Sequence, residues 1–285
     1  MHLTSLETFL AIVDTGSLVR AADHLHVSQS TVTTRLQTLE QELGTTLVHR
    51  QRSGIELTEA GRRFHHHAVV MVELWSQATQ DVALPDTVDV VCSIGCHPDL
   101  WSGPGRRLFD HIRTEHPDAA LTVLPGDQAE IDRLLRGGLV DVAITYEAAV
   151  HHNQTIHGLA AEHLTLVSDR VGSPMRFDPK YIYVEGGEDF RRRHAAAYSD
   201  AGTARISFGS ASWALEELLR HGGSAYLPTR LTAAHVADGR LFPVADAPEF
   251  TRNVYLVLSE RATTWSWLAP TINALTTTNP PRPAT

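Results

Sequence analysis

Between residues 28 and 35 the chain carries a run of short hydrogen-bonding side chains and one guanidinium: Ser28, Gln29, Ser30, Thr31, Thr33, Thr34 and Arg35. An amide such as Gln29 can pair bidentately with an adenine edge, and Arg35 can address guanine or a phosphate. Hydroxyls suit base edges or phosphate oxygens, and a helix start adds backbone N–H donors for an anion. Taken singly, each residue is equally well explained as part of a solvated polar face. That reading does not explain why the stretch has no acid until Glu40. Arg50 and Arg52 follow on a second element where a further backbone contact could form.

The flanking pattern supplies elements to hold these residues. Thr4-x-x-Glu7 reads as a capping box, and Leu6, Phe9, Leu10 and Val13 share one helical face. Gly16 is a left-handed stop and Ser17 the next N-cap. A short second helix follows, with Ala21, Ala22 and Leu25 inward. His26-Val27 turns the chain, and Ser28 caps a third helix whose apolar face is Val32, Leu36, Leu39 and Leu43, stopped by Gly44. Leu47–Arg50 and Ile55–Leu57 form a small hairpin. Three helices with a tight turn between the second and third make a helix-turn-helix, whose third helix enters the major groove of DNA by its N-terminal part. Thr58 caps a long helix to about Val82. Phe64, Met71 and Ala78 recur at seven, as do Ala68, Trp75 and Val82, a seam that seeks a partner helix.

The bulk numbers set limits. The 285 residues predict two or three domains. A net charge of −9 does not advertise a nucleic-acid binder. Residues 1–64 hold six arginines against seven acids, so affinity for DNA must come from the placement of a few cations. Two cysteines build no disulfide framework. Neither a signal peptide nor a membrane-spanning apolar run is present, which predicts a cytoplasmic protein. Lys180 is the single lysine beside 23 arginines.

Ala83-Leu84-Pro85-Asp86 breaks the chain. Beyond it, β-branched strands alternate with helices: 88–94, 106–115, 120–124, 127–136, 140–145, 164–167, 181–184, 189–198, 206–208, 211–221, 224–227, 229–236, 253–258 and 265–275. Alternation of this kind predicts an α/β fold with largely parallel sheets. Ligands in such folds sit at strand carboxyl ends. The first end is Ser93-Ile94-Gly95-Cys96-His97, the second Thr145-Tyr146, and the third Phe208-Gly209-Ser210-Ala211-Ser212-Trp213. Tyr183–Gly187 is a fourth rim. No pair of arginines stands at these ends to claim an anion.

Residues 3–64 carry Leu6-x-x-Phe9, Gly16-Ser17, Ala21-Ala22-x-x-Leu25, Ser28-Gln29-Ser30-x-Val32-Thr33, Leu39-Glu40-x-x-Leu43-Gly44, Leu47-Val48-x-Arg50 and Leu57-Thr58-x-Ala60-Gly61. Together these resemble the N-terminal motif of LysR-type transcriptional regulators. The resemblance implies an all-α winged helix-turn-helix over 1–58 and a linker and dimerisation helix over 59–84. It further implies a two-lobed effector domain, like a periplasmic binding protein, over 85–278; residues 279–285 would be a disordered tail. Hinge strands near 160–170 and 252–259 would cross between the lobes. Such a protein binds double-stranded DNA, answers to a small-molecule effector, and works as a homodimer or homotetramer, with no membrane and no cofactor. Ser93, Thr145 and Ser210 would supply polar contacts to the effector. His97 belongs to the same strand end, and Trp101, Tyr146 and Trp213 would form an apolar wall. Three departures touch the wing and its neighbours: Thr33 where serine is common, Val48 where phenylalanine is usual, and Gln51–Gly54 in place of a more basic turn.

Other clusters point elsewhere less well. Cys92-x-x-x-Cys96-His97 invites a metal or a thiol switch, but the remaining zinc ligands are missing. Packing of a strand by small residues explains it better. His65, His66 and His67 diverge around a helix and cannot share one site. Arg191-Arg192-Arg193 reads as a solvated face. No Gly-x-Ser-x-Gly, P-loop or dinucleotide glycine pattern occurs in context, so no enzyme is expected. The competing reading is a small-molecule binding protein whose N-terminal helices only dimerise. Gln29→Ala and Arg35→Ala separate the two by their effect on DNA.

Overall fold

A computed structural model describes residues 2–51, 54–148, 151, 153–176, 178–199 and 204–277. The chain divides after Pro85 into two compact units. The first begins with helices α1 (Leu3–Thr15), α2 (Leu18–His24) and α3 (Gln29–Leu43), the hairpin β1 (Val48–Gln51) and β2 (Gly54–Leu57), and α4 (Glu59–Val82). The capping box expected at Thr4 and Glu7 does not form. The helix starts two residues earlier, with His2 as its N-cap and no side-chain cap bond. Thr4 lies inside it, and its carbonyl accepts the Thr8 hydroxyl at 2.6 Å. The buried face of α1 is Ser5, Leu6, Thr8, Phe9, Ala11 and Ile12, with Leu10 and Val13 only half-buried. It is wider than the sequence pattern because α1 packs against α2, α3 and α4 at once.

The remaining stops and caps form as the residue types require. Gly16 takes a left-handed φ of 63°, which costs glycine nothing. Its carbonyl then accepts Ile55 N–H at 3.1 Å, docking the hairpin onto the α1–α2 corner. His26 turns the chain between α2 and α3 with a left-handed φ of 54°. Ser28 accepts the N–H of Thr31 at 3.1 Å, and Thr58 that of Gly61 at 2.8 Å, each worth about 1 kcal/mol to its helix. Phe9, Ile12, Val32, Leu39, Leu47 and Ala68 fill the core. The seam of α4 is divided. Ala68 is buried and Phe64 and Met71 pack against this same core, while Trp75 is 58% and Val82 87% exposed.

The second unit continues with β3 (Val91–Cys96), α5 (Pro98–Leu100), a wide turn of helix over Trp101–Gly105, α6 (Arg106–Glu115), β4 (Ala120–Pro125), α7 (Gln128–Arg136), β5 (Val142–Thr145) and β6 (Thr155–Ser168). Then follow β7 (Tyr181–Val184), α8 (Glu188–Ala197), β8 (Ile206–Phe208), α9 (Ala211–His221), β9 (Ser224–Pro228), α10 (Thr229–Ala237), β10 (Phe242–Pro243), β11 (Phe250–Leu258), α11 (Glu260–Thr263) and α12 (Leu268–Thr277). The main strands run β4-β3-β5-β11-β6-β9-β7-β8, with β10 beside β6. The sheet is mixed rather than largely parallel. β3, β4 and β5 pair in parallel, as do β7, β8 and β9, but β6 and β11 run antiparallel to each other and to their outer neighbours.

Those two strands make the lobes. The first part of β6 pairs with Val254–Leu258 of β11, which in turn pairs with β5; the second part, Leu164–Ser168, pairs with β9. A register shift in β11 between Arg252 and Val254 marks the crossover. β6 is 14 residues long, far beyond the short strand its apolar run suggested, because its first half is polar and only partly buried. One apolar cluster, including Ile94, Leu108, Ile144 and Leu256, fills the first lobe; another, including Val184, Leu218 and Leu227, fills the second. Among the described residues no helix is long and apolar enough to cross a membrane. The tail at 279–285 lies outside the described residues.

Candidate functional site

Two polar surfaces stand out. The first is the start of α3. Ser28, Gln29, Ser30 and Thr34 are exposed, and Thr31, Thr33 and Arg35 half-buried. The Ser28 hydroxyl meets those of Ser30 and Thr31, each at 2.8 Å. Arg35 leans back to α1, where Nη1 donates to the Thr8 hydroxyl at 3.4 Å. That contact ties it partly to the scaffold. Glu40, the first acid of the helix, turns away from this face: its Oε1 accepts Leu47 N–H at 2.7 Å and Val48 N–H at 3.3 Å. The acid is a fastener for the hairpin, which is why it does not spoil the polar face. Arg50 lies in β1; its side chain and the whole of Arg52 lie outside the described residues.

The second surface lies where the lobes face each other. β3 ends at Cys96, and His97 caps α5 with Nδ1 accepting Asp99 N–H at 3.3 Å. Asp99 is buried, and its carboxylate crosses to the other lobe. Oδ1 accepts the Ser210 hydroxyl at 2.7 Å, and Ala211 N–H donates to both oxygens at 2.9 and 3.0 Å. The N-terminus of α9 is thus occupied by an acid of the same chain, a favourable place for negative charge. Arg230 of α10 closes the crevice from below. Its Nε donates to Glu162 Oε1 at 2.6 Å, Nη1 to the Ser102 hydroxyl at 2.9 Å, and Nη2 to the carbonyl of Asp99. Glu162 also accepts the Tyr146 hydroxyl at 2.7 Å. The Tyr146 ring meets His97 edge-on at 4.8 Å, and the guanidinium of Arg252 lies 3.3 Å from its centroid. Arg252 is only 9% exposed. Burial holds His97 below the ordinary histidine range; the Arg252 charge adds to this, while Asp99 and Asp127 oppose it. Burial, reinforced by Glu162, pushes the Tyr146 hydroxyl up.

The expected crevice residues are therefore only partly brought together. His97, Tyr146 and Ser210 meet there. Thr145 is buried beside them and its hydroxyl donates to Gln128 Oε1. Ser93 does not reach the crevice, because β3 runs on to Cys96. Ser93 is mid-strand, its N–H donating to Asp141 at 2.9 Å near the opposite end. Trp101 packs into the first lobe, its ring 5.8 Å from Phe109. Trp213 is 66% exposed and walls nothing. Asp99, Glu162, Arg230 and Arg252 were not expected. The two arginines that no strand end displayed arrive from α10 and the bulge of β11. Cys92 and Cys96 are buried thiols, Cys96 pushed up to about 12 by burial, which suits packing rather than reactivity. Among the described residues no group of three histidine, cysteine or acidic side chains is placed to hold a metal ion. A separate cavity of about 720 Å³ opens in the second lobe among Tyr181, Tyr183, His194, Tyr198 and Tyr226.

Comparison with known proteins decides what frame these surfaces belong to. Residues 3–62 match the family described as bacterial regulatory helix-turn-helix protein, lysR family, and residues 91–275 match the LysR substrate binding domain. The chain belongs to the LysR family of transcriptional regulators. A curated relative, the HTH-type transcriptional regulator HdfR of Escherichia fergusonii, is 27% identical over 261 residues, covering 90% of this chain and 91% of that one. Among solved structures, CbnR, a LysR family transcriptional regulator, aligns with a TM-score of 0.69 at 19% identity, over 97% of this chain and 99% of that one. ArgP from Mycobacterium tuberculosis aligns with a TM-score of 0.59 at 23% identity, over 96% and 97%. At those identities the structures speak for the fold alone. As a LysR-type regulator the chain is a DNA-binding protein with an effector-binding domain.

Proposed function

We propose that this LysR-type regulator reads its operator with the first two turns of α3, through Ser28, Gln29, Ser30, Thr31, Thr33, Thr34 and Arg35. Arg50 and Arg52 on the wing would hold the sugar-phosphate backbone. Residues 1–58 form the reader, 59–84 the dimerisation helix, and 85–278 the effector domain, in a cytoplasmic protein with no catalytic step of its own. The observation that carries the reading is the exposed, acid-free face of α3 on a packed helix-turn-helix. The exposed Leu74, Trp75 and Val82 on α4 supply the apolar stripe that a second copy would cover, which sets two readers against a pseudo-palindromic site. The effector binds where His97, Tyr146, Thr145 and Ser210 converge, and its effect is to change the spacing of paired lobes and so of paired readers.

The test is selection of genomic fragments by the purified protein, followed by sequencing, with Gln29→Ala and Arg35→Ala in parallel. A pseudo-palindromic motif should emerge that Gln29→Ala blurs at one position. Arg35→Ala should weaken binding with a smaller loss of selectivity, given its tie to Thr8. Unselective fragments from all three proteins would sink the assignment of α3 as reader and leave a ligand-binding protein whose helices only dimerise.

A further inference from the structure

We propose that the cavity within the second lobe is a binding site, separate from the crevice, for a planar fused-ring aromatic anion. It stands apart from the readings of the crevice and of α3, and each can fail alone.

Two periodicities build the cavity. On β7, Ile182 and Val184 are buried in the apolar cluster of the second lobe, which leaves Tyr181 and Tyr183 together on the opposite face. On α8, Arg191, His194, Ala195 and Tyr198 recur at three, four and seven, and so share one helical face. These two faces, with Tyr226 of β9 and Arg205 beside β8, line a space of about 720 Å³. Close-packed interiors leave few voids larger than a water molecule, whereas this volume is that of a site for a drug-sized ligand. Ala195 brings only a methyl group to the wall, where a longer side chain would fill the space.

The rings set the shape of the guest. Tyr181 and His194 lie nearly parallel, 12° apart, and Tyr183 stands across His194 at 73°. That corner offers a flat ring both a face and an edge, the contacts that aromatic pairs favour. A single ring would leave most of the volume to water, so the space calls for fused rings. Three of the four hydroxyls are committed. Tyr181 bonds to His194 Nε2 at 2.8 Å, Tyr198 bonds to Tyr226 at 2.6 Å, and Tyr226 donates to the carbonyl of Pro248 at 2.9 Å. The Tyr183 hydroxyl makes no hydrogen bond among the described residues and is available to donate. Burial holds His194 below the ordinary histidine range, so at neutral pH it presents an uncharged ring.

The charges at the rim set the sign. Its acids are already engaged. Asp178 accepts the Ser224 hydroxyl at 2.7 Å, Lys180 N–H at 3.0 Å and Arg170 Nη2 at 3.2 Å. Glu185 accepts Gly187 N–H at 3.0 Å and pairs with Arg191 at 3.8 Å. Arg205 is exposed and makes no ion pair among the described residues. Arg176 adds a second guanidinium, 5.7 Å from the centroid of the Tyr198 ring. The balance at the rim is positive, which opposes a cation and draws an anion.

The experiment is titration calorimetry of the full chain with 2-naphthoate, set beside 2-naphthylmethylammonium, 2-naphthamide and cyclohexanecarboxylate. The naphthoate should bind once per chain, about tenfold more tightly than the cyclohexane acid and more tightly than the amide or the ammonium. Arg205→Gln should weaken it about threefold and Tyr183→Leu about fivefold. Ala195→Trp, which sends an indole into the cavity from an exposed position, should abolish it. Melting of the second unit checks that each variant is folded; should Ala195→Trp melt early, the other two variants carry the test. No binding of naphthoate, or equal binding of any comparator, would overturn the proposal. So would an affinity unchanged in any of the folded variants, which would place the ligand elsewhere, the crevice included.

Discussion

The start of α3 and the crevice between the lobes are both polar surfaces over apolar cores, yet they treat their polar groups in opposite ways. On α3 the hydroxyls bond to neighbours two or three residues away and stay exposed. In the crevice the partners come from opposite lobes and the acid between them is buried. A reading surface can exchange its weak local bonds for those of DNA with little reorganisation. A control surface has to break something before a ligand enters, and what it breaks is the signal.

Four substitutions or conditions would sharpen or break that contrast. The largest effect should come from Gly61→Ala. A Cβ there would lie 2.0 Å from the Leu47 carbonyl oxygen, an overpacking against backbone worth about 3 kcal/mol or more. The reader should unfold and DNA binding vanish while the second unit melts as before. A common shift of both transitions in calorimetry would mean the units are not independent. Next is Asp141→Ala. Asp141 is buried and accepts Ser93 N–H and two bonds from Arg261, at 2.7 and 2.9 Å. Its loss should cost about 2–3 kcal/mol in urea unfolding of the second unit only. Ser28→Ala should cost the reader about 1 kcal/mol and weaken DNA binding without touching the crevice.

The smallest effect is that of pH. Burial holds His97 and His194 below the ordinary value of 6.5. As pH falls past 6.5 the unfolded chain takes up protons that the folded chain refuses, so stability drops on the acid side and levels off once the folded histidines also titrate. Denaturant midpoints of the second unit should follow that slope, and His194→Phe should flatten it. A slope unchanged by the substitution would remove His194 from the account.

What could be read from the sequence follows the same contrast. The third helix, its Ser28 cap and its polar face are local facts, set by residues within a turn or two of one another. The failures are of two kinds. Thr4 offers capping chemistry, but α1 begins two residues earlier and spends Thr8 on a carbonyl within its own helix, because three helices bury it from several sides. Ser93 reads as a strand end in the sequence because the apolar run stops at Ile94, whereas β3 starts later and runs two residues further, to Cys96. The crevice could be read only in part: His97, Tyr146 and Ser210 stand at strand ends, but Arg230 reaches Asp99 across 131 residues and Glu162 across 68. No periodicity or spacing records such a meeting. Only the crossing of β6 and β11 brings these residues to one place.

That crossing also orders the birth of the molecule. Strands β7, β8 and β9 of the second lobe lie between the two crossing strands, so its sheet lacks only β10 and the first residues of β11 once β9 has left the ribosome. The first lobe begins earlier and finishes later. β5 lies beside β11, and Asp141 is clasped by Arg261, 120 residues further along. At about 5–20 residues per second, the older lobe waits for roughly ten seconds with one sheet edge bare while the younger one folds. The nascent chain therefore has a fixed window in which a chaperone, or a wrong strand, can reach that edge.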